Sequence, residues 1–169
     1  MKTFEELTVL ATQWAEERNF YGEGGSTLHA QALKLGEEGL ELVYGLRDDE
    51  PELVWDSVGD MLVVLNNICN LSGFNLAELR LGVTSFNPTE SGKLLEILPV
   101  RIMQIQTYFV KNKLGNSLKN EISLLTQSLD MAAKLYGKTS EECFELAYNE
   151  IKDRQGKFIN GSYVKESDL

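Results

Sequence analysis

Lys34-Leu35-Gly36-Glu37-Glu38-Gly39-Leu40-Glu41-Leu42, followed by Trp55-Asp56-Ser57-Val58-Gly59-Asp60-Met61-Leu62-Val63-Val64-Leu65, decides how this chain folds. Both stretches have helical period, and each carries acids on an otherwise apolar surface. At about 100° per residue, Lys34, Glu38 and Glu41 fall on one line, with Glu37 beside it. Leu35, Leu42 and Leu46 flank the acids on one side, and Leu33, Leu40 and Tyr44 on the other. In the second stretch Asp56, Asp60, Val63 and Asn67 share a narrow strip, and nearly every other direction is apolar. A helix that is apolar almost all round is buried. Buried carboxylates are costly unless a cation meets them, and one lysine cannot match four or five. Hard divalent cations take oxygen ligands, so the pair predicts a Mg²⁺ site between two helices, with Mn²⁺ able to substitute.

Working outward, the 169 residues suffice for one domain with a real core, and 43 % are apolar. No apolar run of about 18 residues occurs, which excludes a membrane-spanning helix. Met1-Lys2-Thr3-Phe4-Glu5-Glu6 lacks a signal-peptide core. With only Cys69 and Cys143, a disulfide framework is not expected and the cytoplasm is the natural compartment. The formal charge of −10 counts against nucleic-acid binding and suits solubility.

Helix formers dominate and alternating β-branched runs are absent, which predicts an all-α fold. Helices are expected at about 3–18, 28–47, 50–72, 92–112, 116–136 and 139–155. Pro51 suits a helix start; Gly73 and Gly137 suit helix ends. Gly82 to Gly92, with Asn87-Pro88, reads as an internal boundary. Val58–Leu79 and Ile122–Cys143 resemble each other, with Leu71-Ser72-Gly73 opposite Leu135-Tyr136-Gly137. The second copy has Leu124 opposite Asp60 and Asn120 opposite Asp56, which suggests a degenerate duplication.

Alone, Glu37, Glu38 and Glu41 would read as a solvated helix face. Asp56 and Asp60, poor helix formers among valines and leucines, change that reading. A di-iron bundle would supply Glu-x-x-His pairs, and zinc would want clustered Cys or His. The single histidine, His29, offers neither and reads as a surface or helix-start residue. Toward the C-terminus Lys152, Arg154, Lys157 and Lys165 form the densest basic patch. A cation site beside a basic patch suits phosphoanhydride chemistry. Trp14 and Arg18, four apart on the first helix, could stack on and hydrogen-bond to a base; Trp55 reads as packing.

Glu37-Glu38-x-x-Glu41 with Gly59-Asp60-Met61-Leu62-Val63-Val64-Leu65 resembles the MazG-like all-α nucleoside triphosphate pyrophosphohydrolases, phage and bacterial members included. Ala147-Tyr148-Asn149-Glu150-Ile151-Lys152-Asp153-Arg154-x-Gly156-Lys157 is similar to their phosphate-binding tail. The resemblance implies a single domain over 1–169: catalytic helices at 1–82, an insertion or decayed repeat at 83–138, and a phosphate-binding helix and tail at 139–169. It implies Mg²⁺-dependent cleavage of a (deoxy)nucleoside triphosphate to monophosphate and pyrophosphate. Glu38, Glu41 and Asp60 are then the metal ligands, with Glu37 ligating or orienting water. Where the family usually has a glutamate three residues before the aspartate, this chain has Ser57; Asp56 could substitute. Asn149 and Lys152 look like phosphate contacts, with Arg154 and Lys157 as additions. Asn67 is a candidate sugar or phosphate contact. Lys34, Lys152 and Arg154 would stabilise the leaving charge, and a homodimer or homotetramer is expected. The competing readings are a non-catalytic nucleotide-binding protein and an acidic helical interaction protein. Phosphoribosyl-ATP pyrophosphohydrolase shares the implied superfamily and chemistry.

Overall fold

The computed structural model describes residues 1–81, 91–159 and 162–169. Seven α-helices occur among them: α1 (Phe4–Glu17), α2 (Leu28–Asp48), α3 (Pro51–Ser72), α4 (Leu76–Leu81), α5 (Ser91–Val110), α6 (Asn116–Leu135) and α7 (Ser140–Ile151). A two-stranded antiparallel hairpin follows, β1 (Gly156–Ile159) and β2 (Ser162–Lys165), and a 3-10 turn at Glu166–Asp168 ends the chain. The fold is mostly helical, as the sequence predicts. No helix among the described residues is long and apolar enough to cross a membrane.

The helix boundaries have local causes. α1 and α7 open with capping boxes, Thr3 with Glu6 and Thr139 with Glu142. Thr27 caps α2 by accepting from the Ala30 amide. Asp49 takes a left-handed conformation (φ 58°) to end α2, and Pro51 starts α3 one residue after its cap. α3 closes at Gly73 (φ 71°), where the Phe74 amide reaches the Cys69 carbonyl at 2.8 Å. The same closure recurs at Gly137 (φ 81°), with the Lys138 amide 3.1 Å from the Ala133 carbonyl. The sequence echo therefore extends to the turn geometry.

α2 and α3 form one helical hairpin and α5 and α6 another, with α5 also packed along α2 and α7 along α3. α3 is the central helix. Val54, Val58, Met61, Leu62, Leu65 and Ile68 are buried within one apolar cluster that reaches every helix. Gly59 permits the close approach of α7, since a Cβ there would lie 2.3 Å from the Cys143 carbonyl oxygen. Cys69 and Cys143 are both free and buried.

Three expectations need correction. The last helix ends at Ile151 rather than near 155, and the tail beyond it pairs as a hairpin. The short α4 was not foreseen; Asn75 Oδ1 caps it, accepting from the Ala77 and Glu78 amides. Leu40 and Tyr44 do not line the acidic cleft, because that side of α2 faces outward; Leu33 does line it, at the exposed rim. The boundary expected at Gly82–Gly92 falls mostly outside the described residues; its last member, Gly92, lies within α5.

Candidate functional site

The acidic strips of α2 and α3 face a cleft of about 770 Å³. α2 contributes Lys34, Glu37, Glu38 and Glu41, and α3 contributes Asp56, Asp60, Val63 and Asn67. The C-terminal end of α7 and the residues after it add Glu150, Ile151 and Arg154, and the hairpin adds Ser162, Tyr163 and Lys165. Trp14 and Phe20 close one end. The hairpin is held over that end by rings: Phe158 meets Phe20 with centroids 4.9 Å apart, and Tyr163 meets Phe20 at 5.1 Å and Trp14 at 5.9 Å.

Six carboxylates thus line one cleft, and their electrostatics show the strain of gathering them. Burial, then the charges of Glu38, Asp56 and Glu150, push the Asp60 carboxyl up to about 7. Glu38, only 3 % exposed, is also raised by burial, although Lys34 Nζ lies 2.5 Å from its Oε1 and works against that rise. Burial and Glu150 raise Asp56. Burial opposes the Lys34 ammonium, but its contacts with Glu38 and with Glu37, at 3.2 Å, hold its pKa above the usual value. Arg154 pairs with Glu150. Among the described residues, no group of three or more acid, histidine or cysteine side chains is placed closely enough to hold a metal ion. The acids instead line the walls of an open cleft. Their donor set is carboxylate oxygen alone, which fits a hard divalent cation and not zinc. The uncompensated repulsion at Asp60 is the charge state that such a cation relieves.

The structure brings together Trp14, Lys34, Glu37, Glu38, Glu41, Asp56, Asp60, Asn67 and Arg154 of the residues expected at the site. Arg18 has another task. Its Nε donates to the Arg154 carbonyl at 2.8 Å and its guanidinium to the Lys152 and Trp14 carbonyls, tying the end of α1 to the end of α7. Asn149 and Lys152 sit on the exposed side of the α7 end, with Lys152 Nζ 3.3 Å from Asn149 Oδ1, and neither lines the cleft. Lys157 points outward from β1, opposite Val164. His29 is an exposed residue in the first turn of α2, at the cleft rim. Trp55 packs as expected, its Nε1 donating to the Tyr136 carbonyl at 3.0 Å.

Comparison with known proteins adds one similarity. Over 65 residues, 38 % of this chain, the sequence is 38 % identical to an uncharacterized 18.2 kDa protein in the rep-hol intergenic region of Haemophilus phage HP1. The match spans 39 % of that protein. No family model matches the chain, and no solved structure does.

Two cleft residues, Glu150 and Gln31, escaped the sequence reading. Glu150 adds a carboxylate opposite Asp56, and Ser57, at the position where the resembled family carries a glutamate, is buried away from the cleft with its hydroxyl unpaired. Of the basic patch read from the sequence, Arg154 and Lys165 line the cleft and Lys157 does not. Gln31 lines the wall beside Ser26, whose hydroxyl accepts from its Nε2 at 2.8 Å.

Proposed function

We propose that this protein hydrolyses a (deoxy)nucleoside triphosphate to the monophosphate and pyrophosphate, with Mg²⁺ or Mn²⁺ as cofactor. The observation that carries the reading is that six carboxylates from α2, α3 and α7 line one cleft, together with Arg154 and Lys165. The resemblance of the two acidic strips to the MazG-like pyrophosphohydrolases supports it. Glu38, Glu41 and Asp60 would hold the cation, with Asp56 and Glu150 beside them. A bound Mg²⁺ supplies charge neutralisation for the phosphate oxygens.

The protein's own groups do the rest. Glu37, at the exposed rim, and Asp56 orient a water toward the α-phosphorus. The water oxygen bonds to phosphorus as the bond to the β-phosphate bridging oxygen breaks, and the water proton passes to solvent or carboxylate. Lys34, Arg154 and Lys165 offset the charge gathering on the departing pyrophosphate. Trp14, Phe20 and Tyr163 form the apolar end that a base would occupy. ³¹P NMR of the products tests the bond: monophosphate plus pyrophosphate is expected, and diphosphate plus phosphate would contradict the reading.

A homo-oligomer, dimer or tetramer, belongs to the same proposal, supported by the exposed Leu33, Leu40 and Tyr44 on α2. The buried Ser57, which leaves its position without a carboxylate, favours a second reading: nucleotide binding without turnover. Saturable nucleotide binding with no product would select it.

A further inference from the structure

Asn67 and Tyr21 carry an inference that rests on the nucleotide reading and extends it to specificity. Asn67 is on α3 seven residues beyond Asp60, about 10 Å along the helix axis and on the same strip. It is 3 % exposed and lines the cleft. Its Oδ1 accepts from the Tyr21 hydroxyl at 2.8 Å. Among the described residues its Nδ2 has no partner, and it is not one of the fully occluded polar atoms. A buried amide with a free donor aimed into a cleft is a directed recognition group, because burying such a donor unpaired costs free energy.

The direction of that amide is fixed from behind. Thr12 Oγ1 accepts from Asn66 Nδ2 and from Asn70 Nδ2, both at 3.0 Å. The Tyr21 hydroxyl is buried beside this α1–α3 seam, near Asn70 and Thr12. Tyr21 in turn spends its single proton on Asn67 Oδ1. With Oδ1 held by Tyr21, Nδ2 is the amide's remaining hydrogen-bonding group at the cleft that Asn67 lines. Reversing the amide would turn Nδ2 toward the Tyr21 oxygen and leave the Tyr21 proton without its Asn67 acceptor.

We propose that Tyr21 is a positioning residue that locks Asn67 as a donor, so that the cleft selects nucleotides presenting an acceptor oxygen about 10 Å from the carboxylates. That oxygen is a base carbonyl or a sugar hydroxyl. The distance from the acids places it beyond the phosphates.

The test is calorimetric binding of non-hydrolysable α,β-methylene triphosphates of uridine, cytidine, adenosine and guanosine, in ribo and 2′-deoxy forms. The full chain is used in Mg²⁺, as wild type, Tyr21→Phe and Asn67→Asp. Tyr21→Phe keeps the ring and frees the amide; about a tenfold loss for the preferred nucleotide and a narrowed ranking across the panel are expected. A change in ranking is something a general loosening of the fold would not give. Asn67→Asp turns the donor into an acceptor. About a hundredfold loss identifies a base carbonyl; retained affinity for ribo forms with loss for deoxy forms identifies a hydroxyl. A Tyr21→Phe variant that melts cooperatively and keeps both affinity and ranking overturns the inference. If the wild type binds no member of the panel, the nucleotide reading itself fails, and this inference with it.

Discussion

Replacing Asp60 by asparagine should make the metal-free protein more stable while removing its response to Mg²⁺. Asp60 is pushed from the ordinary 3.8 to about 7 by burial and by its acidic neighbours. The folded state therefore binds more protons than the unfolded state between those two values. Stability falls as pH rises through that window and levels off above about 7. A shift of about 3 units at 1.36 kcal/mol each sets an upper bound of about 4 kcal/mol on the destabilisation at pH 8. Half of that would move Tm by roughly 4–8 °C for a chain of this length. Asparagine is nearly isosteric and uncharged, so Asp60→Asn should melt higher than wild type by about that amount at pH 8 in EDTA. The gap should shrink by more than half on going to pH 5 and close only as pH falls below 3.8, where Asp60 is protonated in both states. Added Mg²⁺ should raise the wild-type Tm at pH 8 and leave the variant unmoved. Scanning fluorimetry from pH 5 to 8, with and without metal, reads all of this. A variant that melts below wild type at pH 8 in EDTA would refute the electrostatic reasoning.

Other consequences follow from the same geometry. Glu38→Gln should cut turnover at least about a hundredfold while far-ultraviolet circular dichroism stays unchanged; retention of most activity would remove Glu38 from the ligand set. Gly59→Ala places a Cβ 2.3 Å from the Cys143 carbonyl oxygen and 2.9 Å from the Ala147 Cβ, so it should cost about 1–3 kcal/mol in urea unfolding. Arg18→Ala should lower stability by about 1–3 kcal/mol, by stripping the Lys152 and Arg154 carbonyls of their donor, and should leave the Mg²⁺ shift intact. Light scattering should report a mass above the 19.0 kDa of one chain, and a 19.0 kDa species at working concentration would contradict the oligomer.

The acidic strips were legible because a helix converts spacing directly into direction. Asp56, Asp60 and Asn67 must share a side of α3 whatever else the chain does. The burial of α3 was legible too, since it has too little polar surface to stand in water, but of these three only Asn67 is buried, with Asp60 half-buried and Asp56 exposed. Which flank of α2 stays open was not, because Leu33, Leu40 and Tyr44 are as apolar as Leu35 and Leu42, and only the position of α3 and α5 separates the two sets. The hairpin had a signal that went unread: Asn160-Gly161 between Lys157-Phe158-Ile159 and Ser162-Tyr163-Val164 is a tight-turn signature. α4 likewise opens with Asn75-x-x-Glu78, a helix-start pattern. Extending the last helix to 155 misassigned its faces, so Asn149 and Lys152 were favoured where Glu150 and Arg154 line the cleft. The tie that Arg18 makes to α7 could not be read from sequence, for the two carbonyls it reaches there are more than a hundred residues away.

The central claim is metal-dependent hydrolysis at the α–β phosphoanhydride. Its most direct test is pyrophosphate release from a panel of ribo- and deoxyribonucleoside triphosphates, in Mg²⁺ and in EDTA. Release in Mg²⁺ that EDTA abolishes, with monophosphate formed in equal amount, is the predicted result. No release from any member in Mg²⁺ or Mn²⁺ would contradict the account.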